Sequence, residues 1–159
     1  ALHNDNIPIP SAYRSTIEFV LNTDLIRFLR ESENNLEEIK QLLDEFKKWD
    51  VKLYERQYFH YYSGERIYRE LLSFEENIED VELYKKLNRF FVLIKGFSIK
   101  PNLDKSQNVY FGMARNQVLL DDSILNNPEW TKQFSLLGEN LKVKMEKSIL
   151  NRKNLSHSD

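Results

Sequence analysis

Hydrophobic positions recur at helical spacing through most of this chain, and strict alternation of the kind a strand needs is absent. The pattern is clearest from Leu36 to Trp49. Leu36, Ile39, Leu42, Leu43, Phe46 and Trp49 share one face, while Glu37, Glu38, Lys40, Gln41, Asp44, Glu45, Lys47 and Lys48 fill the other. An apolar stripe with a charged back predicts an amphipathic helix. Upstream, Pro8 and Pro10 hold the chain extended. Ser11 then suits an N-cap, and Ile17, Val20 and Leu21 give a first short helix its apolar side. Thr23 or Asp24 is expected to start a new helix through Leu25, Ile26, Phe28 and Leu29, and Asn34 with Asn35 punctuates the chain ahead of Leu36.

Asp50 is expected to cap a helix from Lys52 to Leu72 with an inner stripe of Tyr54, Tyr58, Tyr61, Tyr68 and Leu72, interrupted at Glu65. Gly64 inside it costs about 1 kcal/mol relative to Ala and predicts a kink or a split there. The acidic stretch from Glu75 to Glu82 precedes a helix from Val81 to Lys95, where carboxylates complement the helix dipole. Gly96 reads as the stop of that helix. Phe97–Pro101 is the one extended connector. A helix from Asn102 or Asp104 is expected to reach Leu125 by way of Gln107, Tyr110, Phe111, Ala114 and Val118. Asn126-Asn127-Pro128 breaks it, and Pro128 opens a last helix carrying Trp130, Phe134, Leu137, Leu141, Met145 and Ile149 on one side. The expectation is an all-α fold, an irregular helical bundle of six or seven helices in one domain over residues 1–150, with a frayed polar tail at 151–159.

Composition sharpens this picture in a few places. Four Gly and four Pro in 159 residues leave few sharp turns, which favours long helices over many short strands. A 41% hydrophobic content makes a packed core feasible. A net charge of −2 gives no global electrostatic reason to bind nucleic acid. The absence of Cys excludes disulfides and thiolate metal sites, and makes a cytoplasmic home the simplest expectation. Phe90–Ile94, the longest apolar run, falls far short of the roughly 18 residues of a membrane span, so no membrane partner is expected. No initiator Met opens the chain, as expected of a piece of a larger protein.

Candidate chemistry is sparse. His3, His60 and His157 are too scattered to ligate one metal, no phosphate loop or nucleophile elbow occurs, and the carboxylates fall on helix exteriors. No catalytic residue, metal or cofactor is expected. The densest cluster is Tyr58, Tyr61 and Tyr62 with Arg66, where phenol rings beside a guanidinium suit stacking on a sugar or a base. The plainer account, preferred here, makes this side of the helix core. A second cluster holds Gln107, Asn108 and Tyr110, whose amides suit clamping a backbone or touching a ligand. Lys142, Lys144, Lys147, Arg152 and Lys153 are spread around the last helix, near a C-terminus that favours cations anyway.

Three segments carry a family resemblance: Ile7 to Leu25 with its IPIP and EFVLNTDL runs, NLDKSQNVYF at 102–111, and EWTKQFSLLGENLKV at 129–143. In this order and spacing they resemble the helical C-terminal region of bacterial proteins that carry a family 57 glycoside-hydrolase-like domain upstream. The resemblance covers residues 2 to 145, and Gln107-Asn108 followed by Tyr110-Phe111 is its most specific element. Residues 50 to 100 share only its helical pattern, and Ser106 stands where Ala is expected. The region is itself of unassigned function. The hydrolase family acts on α-glucans with retention, through a Glu nucleophile and an Asp acid/base on a distorted barrel. Nothing here matches that barrel, so no catalytic residue carries over.

The resemblance therefore implies a non-catalytic accessory helical domain that packs on an upstream catalytic domain of the same polypeptide and helps to shape its cleft, with α-glucan as a further partner. The alternative expectation is a free-standing helical protein-interaction module.

Overall fold

The structure, a computed structural model, describes residues 10–31, 34–116 and 122–143. Among them the fold is all-α, with seven helices and no strand: α1 (Ser11–Arg30), α2 (Leu36–Lys48), α3 (Arg56–Phe74), α4 (Val81–Gly96), α5 (Asp104–Asn116), α6 (Asp122–Leu125) and α7 (Pro128–Asn140). The chain divides into two compact units. One takes in residues up to Arg66 together with Val92–Asn102, the other Ile67–Phe91 together with residues from Leu103 onward. No described helix is long and apolar enough to cross a membrane.

In the first unit, α2 behaves as its periodicity predicts: Leu36, Ile39, Leu42, Leu43 and Phe46 are buried. Phe46 meets Phe97 edge to face at 5.0 Å. The expected break near Asn22 does not occur. Instead α1 runs unbroken for 20 residues, with Ser11 as its first helical residue and Pro10 at the cap position without a side-chain bond. Asn22 is buried inside the helix and satisfied three ways: its amide nitrogen donates to Glu18 O and Lys52 O, and its oxygen accepts the Tyr54 N–H. Asn35, expected as punctuation, is likewise buried, donating to Phe28 O and Glu31 while accepting from Arg66.

Helix α3 begins at Arg56, later than expected, because Asp50 ends α2 instead of capping α3. Asp50 adopts φ 50°, and the Asp50 and Val51 amides turn back to Lys47 O and Phe46 O. The same pair of hydrogen bonds, around a left-handed residue, closes α4 at Ser98 (φ 60°) and α7 at Lys142 (φ 59°). Gly96 is thus the last residue of α4, with no positive φ, and the stop falls on Ser98. Nor does Gly64 split α3, which runs unbroken through it. A Cβ at Gly64 would stand 2.5 Å from the backbone oxygen of Asn102, so glycine admits the connector that runs alongside. The Asn102 N–H donates to His60 O, and the Lys100 N–H donates to His60 Nδ1.

In the second unit the core is aromatic. Trp130 and Phe134 stack at 4.8 Å, Phe134 and Tyr110 at 4.6 Å, and Tyr84 meets Phe74, Trp130 and Phe134. Pro128 opens α7 as expected, and Asn127 caps it, accepting the Glu129 and Trp130 amides. Asp80 accepts the Glu82 N–H at the start of α4. Asn88, buried beside Leu87 on α4, donates to the Gln133 backbone and side-chain oxygens and accepts from Asn140. The expected continuations of α5 through Val118 and of α7 through Met145 and Ile149, and the tail at 151–159, lie outside the described residues.

Candidate functional site

The seven candidate contact residues fall into two groups, one in each unit. In the first unit, α3 reverses the expected arrangement. The tyrosines face outward: Tyr54, Tyr58 and Tyr61 are 49%, 50% and 56% exposed, and Leu72 is exposed too. The stripe that is buried comprises Phe59, Ser63 and Arg66, then Ile67, Leu71 and Phe74 in the second unit. Sequence reasoning followed the tyrosines because they outnumber the aliphatics. The true stripe hides behind Ser63, Gly64 and Arg66, none of which looks like core. Its signal was the spacing of Phe59, Ile67, Leu71 and Phe74.

Tyr54 anchors to α1 through its N–H, and its hydroxyl reaches Ser15 O at 3.5 Å. Tyr54 lies just ahead of α3, and Tyr58 and Tyr62 follow within that helix, one turn apart. Tyr62 is half-buried, with Tyr61 against its edge at 5.3 Å and the Arg30 guanidinium over its ring at 5.3 Å. A guanidinium over a phenol fixes the plane of the ring. Also exposed on α1 are Tyr13, Phe19 and Val20. Tyr58 and Tyr61, three residues apart on α3, give that helix an outward face of phenol rings.

Arg66 takes no part in that face. It is 2% exposed, and its Nη1 donates to Phe28 O at 2.9 Å and Asn35 Oδ1 at 2.7 Å, satisfying a carbonyl near the end of α1. Its chemistry is structural, since a buried guanidinium is tolerable only when its donors are met. His60 is half-buried. Burial, and then the nearby Arg56 and Lys100 charges, hold its pKa below the usual histidine range. His3 and His157 lie outside the described residues.

In the second unit, Gln107 donates through Nε2 to Leu141 O at 2.8 Å, so the amide holds the C-terminal carbonyl of α7. Tyr110 is fully buried and donates to Phe134 O at 2.8 Å; burial pushes its phenol well above the usual range, as it does for Tyr84. Asn108 is exposed. Beneath this cluster Ser106 is buried, and its hydroxyl has no hydrogen-bond partner among the described residues. Gln107, Asn108 and Tyr110 therefore point to three different environments and form no common surface. Elsewhere in this unit, residues 76–80 line an open depression of about 370 Å³ rich in carboxylates. No group of three or more His, Asp and Glu able to hold a metal occurs among the described residues.

Compared with protein-family models, curated proteins and solved structures, the chain matches none.

Proposed function

We propose that this chain is a non-catalytic accessory helical domain of an α-glucan-active glycoside-hydrolase-like protein, packing on the catalytic barrel of the same polypeptide. The observation that carries this reading is the exposure of Tyr54, Tyr58 and Tyr61, clustered in sequence with Tyr62, over whose ring the Arg30 guanidinium lies. Half-exposed phenols, rigid and amphipathic, are the residues that protein and sugar contacts favour, because the ring buries area while the hydroxyl stays hydrogen-bonded. The likeness of residues 7–25, 102–111 and 129–143 to the C-terminal region of family 57 glycoside-hydrolase-like proteins supplies the occupant. In this arrangement the tyrosines lie against the barrel near its cleft, and bond cleavage belongs to the barrel.

The reading has two tests. Coding sequence upstream of Ala1 should contain a barrel-length domain, and in the full-length protein Tyr58→Ser with Tyr61→Ser should loosen the helical domain, seen as faster proteolysis between the two. The isolated chain should not turn over maltoheptaose or amylose. Measurable turnover, or an upstream sequence with no such domain, overturns the proposal.

A further inference from the structure

A second surface of the first unit lies where α2 and α4 both end. Here a groove of about 220 Å³ is floored by Leu43, Phe46 and Phe97, with Val51 and Leu53 half-buried along it. Lys47, Lys52 and Arg56 stand on its rim, all three exposed. None of the three pairs with a carboxylate among the described residues, although Asp50 also lines the groove. That is a marked local excess in a chain whose acids outnumber its bases by 25 to 23. The positive field extends beyond the rim, since Arg56 and Lys100 both act on His60. The left-handed turns at Asp50 and Ser98 already satisfy the end carbonyls of Phe46, Lys47, Ile94 and Lys95, so these helix ends add no demand for a donor beside the cations.

We infer that this groove binds a short acidic segment of a partner protein, one apolar side chain entering over Phe46 and Phe97 while flanking carboxylates meet Lys47, Lys52 and Arg56. Charge complementarity selects the occupant: a neutral apolar segment leaves three cations unmatched, and a basic one is repelled. The volume suits one or two side chains, which makes the contact a short anchored segment and not a broad interface.

The test uses the whole chain with two synthetic hexapeptides, Glu-Glu-Leu-Phe-Asp-Glu and its control Glu-Glu-Ser-Ser-Asp-Glu, followed by amide chemical shifts and fluorescence anisotropy. The first peptide should shift the amides of residues 43–56 and 96–98. Its affinity should fall about tenfold in Lys47→Glu with Arg56→Glu, and similarly between about 50 and 300 mM salt. These exposed substitutions should leave Tm unchanged, so weakened binding would not reflect unfolding. Binding indifferent to the charge reversal, equal binding of the control peptide, shifts elsewhere, or no binding overturns the inference. So does full displacement by inorganic phosphate, which would make this a small-anion site. A concentration-dependent dimer of the chain alone that Lys52→Glu abolishes would assign the groove to a second copy and equally overturn it.

Discussion

The Tyr110 hydroxyl sits 2.5 Å from where a Cβ on Gly138 would stand, while donating to Phe134 O one turn earlier on α7. Gly138 therefore exists to admit a phenol, not to bend a helix. Gly138→Ala should lower stability by about 2 kcal/mol through overpacking, despite the better helix propensity of alanine. Tyr110→Phe alone should cost about 1 kcal/mol for its hydrogen bond. Combined, the two should cost less than their sum, because the phenylalanine lacks the oxygen that collides. A chemical-denaturation double-mutant cycle measures that coupling, and strict additivity would contradict the packing described here.

Among the described residues, three helices end on left-handed residues that are not glycine: Asp50, Ser98 and Lys142. A side chain in this region costs roughly 1–2 kcal/mol, with Asp among the better tolerated. Ser98→Gly and Lys142→Gly should each raise stability by about 1 kcal/mol, and Asp50→Gly by less. Thermal unfolding followed by circular dichroism should show the first two melting higher. A lower Tm for either would mean that those turns are not what ends the helices.

Ser106 carries a buried hydroxyl without a partner among the described residues. An unmet polar group of this kind costs about 1–3 kcal/mol, so Ser106→Ala should be neutral or stabilising by about 1 kcal/mol. The direction is the informative part, since most core substitutions destabilise. Alanine is also the residue that the family resemblance leads one to expect there. A loss above about 1 kcal/mol would show that the hydroxyl is bonded after all.

His60 accepts the Lys100 N–H on Nδ1, a bond that only the ring with a free lone pair can make. Its folded pKa lies below the ordinary 6.5, through burial first and then Arg56 and Lys100. The unfolded chain therefore takes up a proton more readily than the folded one. Stability from this group is complete above pH 6.5 and is lost as pH falls through the folded pKa. Tm measured between pH 7.5 and pH 5 should fall on the acid side, and His60→Asn should flatten that slope. An unchanged slope in the variant would place the titration elsewhere.

How far the sequence carries can be read from α2 and α3. In α2 every buried position is aliphatic or aromatic and every exposed one polar, so periodicity alone predicts the face correctly. In α3 the same reasoning picks the wrong side, because the buried side includes Ser63 and Arg66, whose polarity is met by Phe59 O and by the Phe28 and Asn35 oxygens. Those partners lie four residues away in one case and more than thirty in the other. A one-dimensional pattern sees neither. The helix ends at Asp50, Ser98 and Lys142 were illegible for a related reason: their stop signal is a conformation, and glycine does not mark it. The start of α7 at Pro128 was legible because the proline signal is local.

Asn22, Asn35 and Asn88, the three buried asparagines among the described residues, each spend both ends of the amide on fixed backbone or side-chain atoms. No other side chain of that length gives and receives at once. Aspartate loses the giving, leucine loses both, and glutamine overshoots by a methylene. Relatives of this chain that keep its architecture should therefore hold asparagine at these three places, which makes the three amides markers for finding such relatives.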